Sequence, residues 1–452
     1  MTEALRRGNS PAGHAFHSVA PRPALLAPPV PSPPGPARAD LTAARGTALY
    51  IGALLGPGLL LLPGLAAAEA GPASVLAWTG LIILSGLFAV VFGSLGRSFP
   101  SAGGVIGYVR AGLGERASEI VGWSFLAGVI AGAPVVCLIG AGYVAELTGG
   151  GRLTRALIAA VLLLAVMALA AGGLRASATA QLLLVSLLIG VVAVAVAGSA
   201  PGAQAANWTP FAPHGWQALG HAAATLMLSF VGWEAVAPLT TRFTDPSRQL
   251  PRVIGSALVI TSVLYLGLAV ATISVLGAGA GTSTPLAALL RDTAGPSGSA
   301  AAAVAAVVLT LGACNAYVAG AAEMALELTR SRRPRPGAGP ATRPAPRFLA
   351  AIAGSGLALI SLYGLGVASP AALIAIPTTL FLAVYLGCMT SAVRVLRGKA
   401  RLSAAPAAVI VAVVLGYCGW ALAAPLAVVL GVCSVRPVAR AAGTIRKRRE
   451  SV

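Results

Sequence analysis

Along this chain the apolar positions come in long continuous runs. They show neither the period-two alternation of half-buried strands nor the one-sided stripe of a surface helix. The runs fall at about 45–69, 73–96, 119–146, 153–172, 176–199, 215–240, 253–278, 298–328, 348–367, 371–393, 402–419 and 421–439. About 20 apolar residues cross the hydrocarbon of a bilayer as a helix. The pattern therefore predicts an all-α membrane protein of twelve transmembrane helices, numbered here as spans 1 to 12. Between the last two, only Gly419, Trp420 and Pro425 mark a turn. Residues 1–40 are rich in Pro and Ala, and are expected to form a disordered tail without the apolar core of a signal peptide.

Composition agrees with a lipid solvent. The 452 residues are 57% hydrophobic and 10% charged, with a mean hydropathy of +0.86, which excludes an ordinary soluble domain. The net charge of +19 does not point to nucleic acid, because the basic residues are spread over the loops between apolar runs; anionic lipid headgroups are the expected partner. Sorted by the parity of the spans, 28 of the 31 Lys and Arg residues fall on one side, and only Arg152, Arg155 and Arg291 on the other. Such asymmetry predicts a plasma-membrane protein with both termini in the cytoplasm. Trp78, Trp208, Trp216 and Trp420 fall near the outer boundary, where interfacial anchors are expected, with scattered core aromatics as the alternative.

The five cysteines show no CxxC spacing and the four histidines no cluster, so no disulfide framework, metal or cofactor is expected. No phosphate-cradling GxxxxGK[ST] occurs, which leaves an ion gradient or solute exchange as the energy source. A channel would show rings of like residues or a filter motif, and neither stands out.

Two spans carry polar or helix-breaking features at mid-depth. Span 1 holds Gly52-Ala-Leu-Leu-Gly56-Pro57-Gly58. Pro57 removes a backbone donor and clashes with the preceding turn, so the helix is expected to break there, and the second half would present free N–H groups fit for a carboxylate. A kinked helix packed through small residues is the alternative. Span 6 holds Ser229-Phe230-Val231-Gly232-Trp233-Glu234, and Glu234 is the one acid deep inside a span. A carboxyl at that depth is costly and suits a residue that takes up and gives off a proton, with a structural pairing as the alternative. Asn315 in span 8 is a further mid-depth polar group, facing either substrate or a neighbouring backbone. Breaks five spans apart suit an inverted five-plus-five repeat.

At these residues the chain resembles the amino acid-polyamine-organocation superfamily, in particular the branch with the bacterial methionine and branched-chain amino acid exporter. The likeness rests on IGALLGPGLLLLPGLAA, on PSAGGVIGYVRAGLGERASEIVGW from Pro100, and on FVGWEAVAPLTTRFTDPSRQLPRVI from Phe230. The second half resembles it mainly through spacing and Asn315-Ala316-Tyr317. The resemblance implies a ten-helix inverted-repeat core with broken helices 1 and 6, halves at 41–200 and 201–400, accessory helices 11 and 12 in 401–440, and a basic cytoplasmic tail over 441–452. It implies that backbone groups at Gly56, Pro57 and Gly58, and at Ser229, Phe230, Val231 and Gly232, hold the carboxylate and ammonium of an amino acid. Pro57 stands where the family usually has a small residue, so one N–H donor is missing. The glycine-rich stretch at Gly103-Gly104 resembles the family's inner loop, which shifts during gating.

The expected protein is a secondary transporter of amino acids and not an enzyme. An apolar pocket around Phe230, Val231 and Trp233 points to neutral, hydrophobic substrates. Glu234 is the expected gate or coupling residue, with protons the coupling ion, since Ala313 to Ala322 offers no Ser or Thr for sodium. A membrane-embedded enzyme, or a carrier of another small organic solute such as a polyamine, is the competing reading.

Overall fold

The protein is described here by a computed structural model covering residues 42–56, 58–99, 104–173, 178–235, 243, 245–332 and 344–434. Its elements are helices: α1 (Ala43–Leu54), α2 (Gly58–Ala70), α3 (Ser74–Ser98), α4 (Val105–Leu147), α5 (Arg152–Ala171), α6 (Ala178–Ser199) and α7 (Ala218–Leu226). They continue with α8 (Pro246–Leu276), α9 (Pro285–Arg332), α10 (Pro346–Gly364), α11 (Pro370–Val395), α12 (Gly398–Gly416) and α13 (Gly419–Ser434). Local chemistry sets several starts. Pro246, Pro346 and Pro370 open their helices, where a missing N–H costs nothing and φ is already helical. Thr42, Asp245 and Ser369 cap theirs by accepting from a backbone N–H three residues on.

Among the described residues, nine apolar helical stretches have the length and composition to cross a membrane. The twelve expected crossings differ from that number for physical reasons. Span 1 is split into α1 and α2, of 12 and 13 residues, and α2 runs on into α3 as one stretch. Span 6 stops being α-helical after Leu226, and the described part of α13, Gly419–Ser434, is below crossing length. The fold is that of a multi-pass membrane protein.

The order of elements repeats. A broken span (α1 and α2), a straight helix (α3), a kinked helix with a leading arm (α4) and two more helices (α5, α6) are followed by the same series in α7 to α11. The two arms are closely alike. The α4 arm turns at Gly114, with φ +82°, and the α9 arm at Gly295, with φ +63°. Both angles lie in the region that glycine alone enters freely. Helices α12 and α13 follow as an appended pair. The long α4 packs along α11, α9 and α5 and forms the spine of the core.

Of the four expected interfacial tryptophans, Trp216 and Trp420 are more than half exposed, whereas Trp78 is fully buried. Trp78 stacks on Tyr265 with ring centroids 4.9 Å apart. It is a core residue, and a position near a span end did not reveal that its ring points inward. Trp208 is half-buried and donates from its indole to the Ser274 hydroxyl at 3.1 Å.

Candidate functional site

Both mid-membrane breaks leave backbone groups that the helices themselves cannot satisfy. α1 stops at Leu54 and α2 begins at Gly58, with Pro57 itself outside the described residues. In span 6 a short 3-10 turn, Met227–Phe230, gives way to extended backbone at Val231, with ψ 136°. Gly232 follows at φ +139°. A Cβ on Gly232 would stand 2.4 Å from the Ala53 carbonyl oxygen, so glycine is required there twice over, by conformation and by close approach.

Tyrosine hydroxyls supply the missing partners. Tyr265, on α8, lies 2.8 Å from the Leu54 carbonyl and 2.9 Å from that of Ser229, within reach of both breaks. Tyr317, on α9, donates to the Ala53 carbonyl at 3.4 Å. Tyr385, on α11, accepts from the Gly232 and Trp233 N–H groups at 3.0 and 3.1 Å and donates to Glu234 Oε2 at 2.6 Å. That carboxyl also accepts from the Gly232 N–H at 2.9 Å. Glu234 is thus wired to the span 6 break and to α11.

Between the breaks lies a narrow cavity of about 40 Å³, walled by Gly56 and Gly58, by Leu228 and Val231, by one face of α4 including Gly128 and Gly132, by Cys314 and Tyr317, and by Phe381. That is room for a few water molecules. Gly56, Gly58 and Val231 line it. The other expected site residues stand around it. The Ser229 hydroxyl is buried against Gly58 with no hydrogen-bond partner among the described residues. Phe230 packs on Trp78 and Tyr265. Trp233 is fully buried and donates to Ser85 on α3 at 2.8 Å, away from the cavity lining. Asn315 is buried beside Cys314 on α9. Among the described residues, no Asp, Glu, Lys or Arg lines the cavity.

Sequence reading missed Tyr265, Tyr317 and Tyr385. The available signal was a hydroxyl at mid-depth in three apolar spans, which must find an acceptor where no bulk water reaches.

Known proteins resemble this chain in sequence and in fold. A family model described as amino acid permease matches residues 42–334. The uncharacterized amino acid permease YecA of Bacillus subtilis (strain 168) is 33% identical over 392 residues, covering 85% of this chain and 92% of its own. The L-methionine/branched-chain amino acid exporter YjeH of Escherichia coli (strain K12) is 35% identical over 232 residues, 50% of this chain and 54% of its own. In fold, the chain is similar to the crystal structure of MhsT in complex with L-phenylalanine, with a TM-score of 0.60 and 16% identity over 86% of this chain and 98% of that one. A multi-pass chain whose two broken helices meet at a small central cavity, and which shares most of its length with such relatives, belongs to the amino acid permease family.

Proposed function

We propose that this permease carries neutral, apolar amino acids by alternating access, holding them between α1/α2 and the break in span 6. The observation that carries the reading is the combination of backbone groups at both breaks that no helix pairs and only tyrosine hydroxyls meet with a lining that, among the described residues, has no charged side chain. The opening turn of α2 supplies N–H groups for a carboxylate, although Leu59 already donates to the Gly56 carbonyl at 3.1 Å. The carbonyls of Leu54 and Ser229, now shared by one tyrosine hydroxyl, suit an α-ammonium. Gly56, Pro57, Gly58, Ser229, Phe230, Val231 and Gly232 are the proposed substrate positions, Asn315 and Trp233 supporting them from behind. A polyamine would want carboxylates in the lining. The B. subtilis and E. coli relatives named for branched-chain amino acids or methionine fit the same preference.

Glu234 is the proposed coupling residue and protons the proposed ion, with both termini in the cytoplasm and residues 41–200 and 201–400 as the two halves. Reconstituted proteoliposomes test this directly. Uptake of labelled leucine should follow an imposed proton gradient and be inhibited by methionine but not by lysine or putrescine. Uptake of putrescine in place of leucine would overturn the substrate assignment.

A further inference from the structure

A second cavity, of about 310 Å³, lies where α2, α7 and α11 meet the turn between α12 and α13. Among the described residues it shares no lining residue with the central one, although Thr225 and Thr378 in its wall stand only three residues from Leu228 and Phe381. Its chemistry is different. Glu69, His221, Thr225, Ser369, Tyr417 and Trp420 contribute to the wall, and among the described residues no Lys or Arg does. The Thr225 hydroxyl donates to Glu69 Oε1 at 2.8 Å. The other carboxylate oxygen, Oε2, is buried and accepts no hydrogen bond among the described residues.

A buried acceptor left unpaired is destabilising, and more so when it carries charge. Glu69 lines the cavity; Oε2 itself has almost no accessible surface, and a turn of the side chain would offer it to a ligand that donates hydrogen bonds. Two aromatic rings in the wall, those of Tyr417 and Trp420, favour a positive charge nearby. His221 meets Tyr417 edge-on with centroids 5.5 Å apart, which helps fix the ring in place.

We propose that this cavity is a second ligand site, selective for a primary ammonium compound whose N–H groups bond the free Glu69 oxygen while Tyr417 and Trp420 flank the charge. Its volume accommodates a short alkyl chain behind the ammonium. The site stands apart from the central cavity and does not depend on what the central cavity carries. A ligand there ties α2 and α7, which belong to the two broken spans, to α11 and the α12–α13 turn, so its occupancy should slow transport.

Isothermal titration of the purified full chain with isopentylamine, which has no carboxylate for the central site, tests the proposal. Saturable binding of one amine per chain is expected. Glu69→Gln should weaken it at least about tenfold, as loss of one member of a close charge pair does. Ala372→Phe fills the cavity without touching the carboxylate, should weaken it as much, and keeps the test decisive if Glu69→Gln does not run as a monodisperse species. Tyr317→Phe, which alters the central cavity, should not reproduce the loss. No saturable heat, an unchanged affinity in either cavity variant, or a loss confined to Tyr317→Phe would overturn the proposal.

Discussion

Side chains that are absent set the width of the central cavity. A Cβ on Gly132 would meet only the Pro377 side chain, at 3.6 Å, an ordinary contact. Gly132→Ala should therefore fold normally while removing a methyl's worth of space. Transport of leucine should fall relative to alanine by roughly tenfold, the usual discrimination for one methylene in a tight pocket. An unchanged leucine-to-alanine uptake ratio would place the substrate elsewhere. Around Glu234, two variants separate coupling from support. Glu234→Gln keeps the shape and an acceptor for the Gly232 N–H, so stability should hold and leucine exchange persist while proton-driven uptake fails. Tyr385→Phe instead leaves the Trp233 N–H without its acceptor, costing about 1–3 kcal/mol and lowering the melting temperature. Similar melting losses in both variants, with exchange lost too, would mark Glu234 as purely structural. Glu234 and Gly232 were legible in the sequence because an acid and a glycine are conspicuous at mid-depth. What Trp233 and the three tyrosines contact was not, because the aim of a long ring depends on how its helix is rotated, which apolar runs do not encode.

Among the elements, the two arm-bearing helices stand out. The arms of α4 and α9 each turn at a glycine of positive φ, and at both Gly114 and Gly295 a Cβ would enter open space. Substitution there meets no clash, so its effect is conformational only. Gly114→Ala and Gly295→Ala should each cost about 1–3 kcal/mol of local strain and slow the transport cycle, while calorimetric binding of leucine stays within about twofold of wild type. A turnover rate equal to wild type would show that the arms play no part in the cycle. The spans were readable from run length, and the breaks from Gly56-Pro57-Gly58 and Gly232. The helical arms were not readable as elements, although Gly103-Gly104 before the first was singled out by resemblance, because 105–114 and 285–295 mix polar and apolar residues and carry no run long enough to register. Span 12, expected over 421–439, corresponds to α13, described over Gly419–Ser434.

For the molecule as a whole, the division of basic residues gives an orientation that can be checked from outside. A single cysteine at Gln204 should react with an impermeant maleimide in intact cells of a background lacking the five native cysteines, whereas one at Ser331 should react only after lysis. Reaction at both sites in intact cells would refute the assigned topology. The recurrence of broken span, straight helix and kinked arm in α1–α6 and again in α7–α11 has a thermodynamic reading as well. Two halves built to one plan give the cavity comparable means of opening toward either face. On the proposed proton-coupled mechanism, such a fold would work as a reversible exchanger whose bias lies in the solute and proton concentrations on its two sides. Whether the cell gains or loses amino acid through it is then a property of those concentrations, and reversing them in a vesicle should run the same chain backwards.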